Sequence, residues 1–148
     1  MGSILNERDR ASIASRLRSL SASSTARWGH LTVAGMLQHL RHSCLMTIGE
    51  LSVPSANKRP FQVFPLKHLI LYVLPFPKGA PTAPKLKPAD AGVFEDERAA
   101  VAELLERIGT GPREGNGPAN PLLGPLTWRE WGVVTYKHAD HHLKQFGA

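Results

Sequence analysis

Apolar positions recur along most of this chain at steps of three and four, the spacing of one face of a helix. Ile13, Leu17 and Leu20 mark a first helix over about Asn6 to Leu20, followed by a Ser/Ala-rich loop. A second helix starts at Thr32, a favoured N-cap, with Leu31 and Met36 placed as a hydrophobic staple, and is expected to end near Gly49. The apolar piece from Leu66 to Leu74 predicts a third, short or interrupted because Pro65 and Pro75 flank it. Prolines 75, 77, 81, 84 and 88 then make an extended surface loop. A helix resumes at about Asp90 and runs to Ile108, with Val101, Leu104, Leu105 and Ile108 inward, and Gly109 and Gly111 stop it. After a turn-rich stretch, Thr127-Trp-Arg-Glu130 is a capping box, with Leu126 and Trp131 as its staple, and opens the last helix.

Proline and glycine thus divide the chain into about five segments, four of them with helical periodicity and none a repeat of another. The expectation is one all-α domain over 1–148, a four-helix bundle with a proline-rich surface loop.

The 148 residues suit a single core, and 42% hydrophobic with 20% charged residues is globular composition. Cys44 is the single cysteine and cannot form an internal disulfide, and MGSILNERDR has charges where a signal peptide has an apolar run, so a cytoplasmic location is expected. Asn6 stands where a myristoylation signal has Ser or Thr. The most apolar stretch is too short to span a bilayer, which needs about 20 residues. The net charge of +6 brings nucleic acid to mind, but the basic residues form no helix face and no aromatics interleave with them. Neither a nucleic-acid nor a membrane partner is expected. One region is distinctive: no acidic residue lies between Glu50 and Asp90, where Lys58, Arg59, Lys67, Lys78, Lys85 and Lys87 accumulate, and a solvated basic loop is the plain reading.

The chemistry is concentrated in histidines. In the last helix, Trp128, Trp131, Thr135, His138, His142 and Gln145 share one stripe, while Thr127, Glu130, Lys137, His141 and Lys144 share another. The lysines put the second stripe in water, so His141 is expected exposed and His138 and His142 face the bundle. Imidazoles four residues apart reach one ion, but two ligands make a weak site. His39 is the candidate third ligand, from the second helix, with His42 as its rival if that helix is rotated. Spacing alone does not establish metal binding.

Leu31-TVAGMLQHL-Arg41, preceded by Arg27-Trp28-Gly29, and Tyr136-KHADHHLKQF-Gly147 resemble the DinB/YfiT-like superfamily of metal-dependent enzymes. Leu74-PFPKGAPTAP-Lys85 and Pro121-LLGPLTWREWG-Val133 are similar to a bacterial branch described as a domain of unknown function, and together the motifs span most of the chain. The resemblance implies a four-helix bundle holding a divalent ion on His39, His138 and His142, with Gln145 as a partner orienting a ligand or bound water. One departure is Asn120, where that branch often has a histidine before the proline.

Three imidazoles leave coordination positions open, as in a catalytic site, and zinc or nickel is the expected ion. The resemblance permits a hydrolase or a transferase acting on a low-molecular-weight thiol, with an unidentified small-molecule substrate and a homodimer. No general base is assigned, since Asp140 lies beside the His138 stripe and Glu50 ends its helix. Cys44 reads as a core residue, and Trp28, Trp128 and Trp131 as packing anchors or pocket walls. The alternative is a non-catalytic binding or stress-associated protein whose metal only staples the bundle.

Overall fold

The computed structural model describes residues 1–89 and 92–148. They form five α-helices: α1 (Glu7–Ser19), α2 (Val33–Thr47), α3 (Leu66–Tyr72), α4 (Phe94–Gly109) and α5 (Trp128–Gln145), with short 3₁₀ turns at Arg59–Gln62 and Pro84–Leu86. No strand occurs among the described residues, only two isolated bridges that brace the turn before α5. No helix among them is long and apolar enough to cross a membrane.

The helix starts follow their caps. The Asn6 side chain accepts from the Asp9 amide, Thr32 from Gly35, and Thr127 from Glu130 while the Glu130 carboxylate accepts from the Thr127 amide, completing the capping box. The third helix is confined to seven residues, ending before the prolines. The expected start of the fourth at Asp90 lies outside the described residues; Gly92 and Val93 precede the helix, which opens at Phe94.

α2 packs most extensively on α4, α1 on both α4 and α5, and α5 on α2 and α3. The larger apolar cluster joins α1, α2, α4 and α5 through Ile13, Leu17, Met36, Leu37, Val101 and Leu143. A smaller one gathers Met46, Leu71, Leu123, Leu126 and Trp131 under the turn before α5. The N-terminal strip crosses α5 at Gly132, whose carbonyl accepts from the Ile4 amide at 3.0 Å. A Cβ there would lie 2.6 Å from Ser3 Oγ and 2.7 Å from Leu5 Cγ, so any other residue would force the N-terminal strip to shift.

Across the bundle, Arg41 on α2 grips the buried Glu97 carboxylate on α4, at 2.6 Å from Nε and 3.2 Å from Nη2. Lys137 on α5 donates to the Leu71 and Leu74 carbonyls at 3.2 and 2.7 Å, placing a cation at the C-terminal end of α3. That anchor fixes where the proline-rich loop leaves α3.

Candidate metal centre

His39 on α2 and His138 and His142 on α5 form one cluster whose ligand atoms lie within 4.8 Å of one another. His39 Nε2 is 2.9 Å from His138 Nε2, which is 3.1 Å from His142 Nε2. The rings stand edge-on, with centroids 4.8–4.9 Å apart.

The opposite nitrogens determine what the inner ones can do. His39 Nδ1 is 2.7 Å from the Leu86 carbonyl, which can only accept, so Nδ1 carries the proton. His142 Nδ1 is 2.8 Å from Gln145 Oε1, and the Gln145 amide is oriented by its Nε2 donating to the Trp28 carbonyl at 2.8 Å. His142 Nδ1 therefore also donates. Both rings then turn bare Nε2 lone pairs toward His138, whose single proton can satisfy at most one of them. Protonating the rings is disfavoured. Burial lowers the pKa of all three; His138 falls well below the usual range, with His142 and His39 adding to the effect, and His142 falls to about 3. A divalent cation would resolve the conflict, because it would take an imidazole lone pair from each of His39, His138 and His142. The donor set fits a divalent ion.

The chain's local turns build this arrangement. Gly29 adopts φ +78, and a Cβ there would sit 2.9 Å from Gln145 Nε2, so the turn after Trp28 closes over Gln145 only as glycine. The Arg27 amide donates to the Gln145 carbonyl at 2.7 Å, tying the entry to α2 to the end of α5.

A cleft of about 220 Å³ opens beside the cluster, lined by Trp28, Phe76, Lys78, Lys137, Asp140 and His141, among others. The Phe76 ring is 5.6 Å from His138 and 6.1 Å from His141, and His141 is 5.1 Å from His142. Lys78 Nζ lies 4.3 Å over the Trp28 ring. On the core side, a cavity of about 30 Å³ touches His138, Ser43 and Thr135, room for about one water.

Several sequence expectations change here. His141 is half-buried among Trp28, Phe76 and His142 rather than in water, because the proline-rich loop folds back over its stripe. Trp131 is 1% exposed in the smaller core cluster, its Nε1 donating to the Pro118 carbonyl, so Trp28 lines the cleft and Trp131 does not. His42 stays outside the cluster, its buried Nδ1 without a hydrogen-bond partner among the described residues. Asp140 is held by Arg16 and Lys144, each at 2.7 Å; burial would raise its pKa, but these bonds outweigh that and lower it. Glu50 pairs with Arg107. Cys44 is buried, and burial raises its thiol pKa to about 12. Asn120 shapes a turn, Oδ1 accepting from the Leu122 and Leu123 amides at 2.9 and 3.0 Å. The Leu86 carbonyl and Phe76 are contributions that sequence reading missed: the first is a backbone group and carries no residue signal, while the second stands in the LPFPKG motif.

Neither protein-family models, nor curated proteins, nor solved structures give a match to this chain.

Proposed function

We propose that this chain is a metal-dependent enzyme of the DinB/YfiT-like type, a hydrolase or a transferase onto a low-molecular-weight thiol. Its divalent ion, zinc or nickel, is held by His39, His138 and His142. The observation that carries the reading is the inward convergence of three neutral imidazoles, two with their outer protons committed to oxygen acceptors. In this reading α1, α2, α4 and α5, of 13, 15, 16 and 18 residues, are the four helices of the bundle, and α3 is an appendage of the loop.

When bound, such an ion lowers the pKa of a water or thiol and supplies a nucleophile near neutral pH. The protein's own part is positional. Leu86 and Gln145 fix two rings, Phe76 and His141 stand between the imidazoles and bulk water, and the cleft beside them receives a small molecule against the Trp28 and Phe76 faces. A second reading is favoured by the cluster's bridging of α2 and α5: a metal that staples the two helices without turnover.

The test is metal content by plasma mass spectrometry, for wild type and for His138→Ala and His142→Ala. About one ion per chain, lost in both variants, supports the site. No ion after reconstitution with zinc or nickel overturns it. Chelation that lowers the melting temperature substantially, with no turnover of ester, amide or thiol-acceptor substrates by the loaded protein, selects the staple.

A further inference from the structure

The net charge and most of the exposed large apolar side chains of this chain fall in the same stretch. Six of its 18 Lys and Arg and none of its 12 Asp and Glu lie at 51–89, so the remainder carries 12 of each and is neutral. Among the described residues only Lys67 of those six meets a carboxylate, Glu130 at 3.4 Å. Lys58, Arg59, Lys78, Lys85 and Lys87 are exposed and make no ion pair there.

Independently, eight large apolar side chains are exposed among the described residues, and five of them, Val63, Phe64, Leu69, Val73 and Leu74, fall within 63–74. Phe64 is 82% exposed and Val73 62%. Leu69 on α3 and Val73, the residue that caps its C-terminal end, stand four apart, while Val63 and Phe64 lead directly into that helix. Lys58 and Arg59 stand just before them, at the start of a 3₁₀ turn that packs on α3.

We infer that this face docks on a bilayer surface carrying anionic lipid. Phe64 and the aliphatic side chains enter the interfacial layer, and Lys58 and Arg59 meet headgroup phosphates. A second copy of the chain fits less well, because a two-fold contact brings together two copies of one face, each carrying Lys58 and Arg59 and neither offering a carboxylate from 51–89 to pair them. Nucleic acid would accept the charge but give the aliphatic side chains nothing apolar to cover them. The lack of a spanning helix among the described residues does not bear on docking at the surface. The inference stands apart from the metal site.

The test is co-sedimentation of the full chain with vesicles of phosphatidylcholine alone, and with about 30% phosphatidylglycerol, at about 0.1 M and about 0.5 M salt. The chain pellets with the anionic vesicles only, and less at high salt. Lys58→Glu/Arg59→Glu and Phe64→Ser/Val73→Ser each lower the partition coefficient at least tenfold. Both double variants alter exposed side chains only and keep the wild-type circular dichroism and melting temperature. A wild type that stays in the supernatant overturns the inference, as does unchanged binding by both variants. Sedimentation velocity guards the remaining case: a dimer that Phe64→Ser/Val73→Ser dissociates assigns the face to a second copy instead.

Discussion

Gln145→Leu tests the site at the contact that orients His142. The amide does two jobs at once, accepting from His142 Nδ1 and donating to the Trp28 carbonyl, each at 2.8 Å. Leucine keeps much of the volume and removes both bonds, leaving two polar groups to find other partners or go without. At about 1 to 2 kcal/mol for each group, the metal-free protein loses about 2 to 4 kcal/mol. For a domain near this size that lowers the melting temperature by about 4 to 16 °C. Removing the partner that fixes a ligand ring costs a further 10- to 100-fold in metal affinity, about 1.4 to 2.7 kcal/mol, read by competition with a chromogenic chelator. Gln145→Glu separates the two jobs: its carboxylate still accepts from His142, so metal affinity holds or rises, while the Trp28 carbonyl loses its donor and stability falls. Metal affinity within twofold of wild type in Gln145→Leu, with the fold intact, would refute the reasoning that this bond orients the ring.

Acid should weaken the metal-free protein. Burial depresses the histidine pKa values, so the unfolded chain takes up protons below about 6.5 while folded His142 does not until about 3; stability is complete above the upper value and declines through that window, by about 2 kcal/mol at pH 5 for this residue. Melting curves at pH 7.5 and 5 check this, the slope being shallower in His142→Asn. Trp131→Ala empties a side-chain volume that is 1% exposed and strips the Pro118 carbonyl of its donor, costing about 3 to 5 kcal/mol in chemical denaturation; a loss under 1 kcal/mol would contradict its burial. Lys137→Met removes the cation from the end of α3 and should raise amide hydrogen exchange at 66–74 while α4 stays protected; uniform exchange would deny the anchoring role.

Much of the fold is legible because its signals are local. Asn6, Thr32 and Thr127 cap within three residues of themselves, and Trp131, Thr135, His142 and Gln145 turn to the interior as their spacing requires. The preference for His39 over His42 also matches the cluster's geometry, since His39 shares a helix face with buried Met36 and Ser43. What could not be read lies at long range. The lysines flanking His141 suggest a wet stripe, but Lys137 spends its ammonium on α3 carbonyls and Phe76 covers the histidine from a loop more than 60 residues away. The acceptor for His39 is a main-chain carbonyl, placed by the path of the proline-rich segment and invisible to residue type.

That carbonyl also joins two equilibria that a plan of the ligands alone would treat as separate. Leu86 sits in a 3₁₀ turn of the segment between α3 and α4, and its oxygen fixes the proton, and so the tautomer, of His39. If the proposed ion binds, whatever factor the seated turn adds to its affinity, the ion must return to the seating of the turn. A protease cutting near residues 78–87 would then report on ion occupancy, and a nick there would release the ion without touching a histidine.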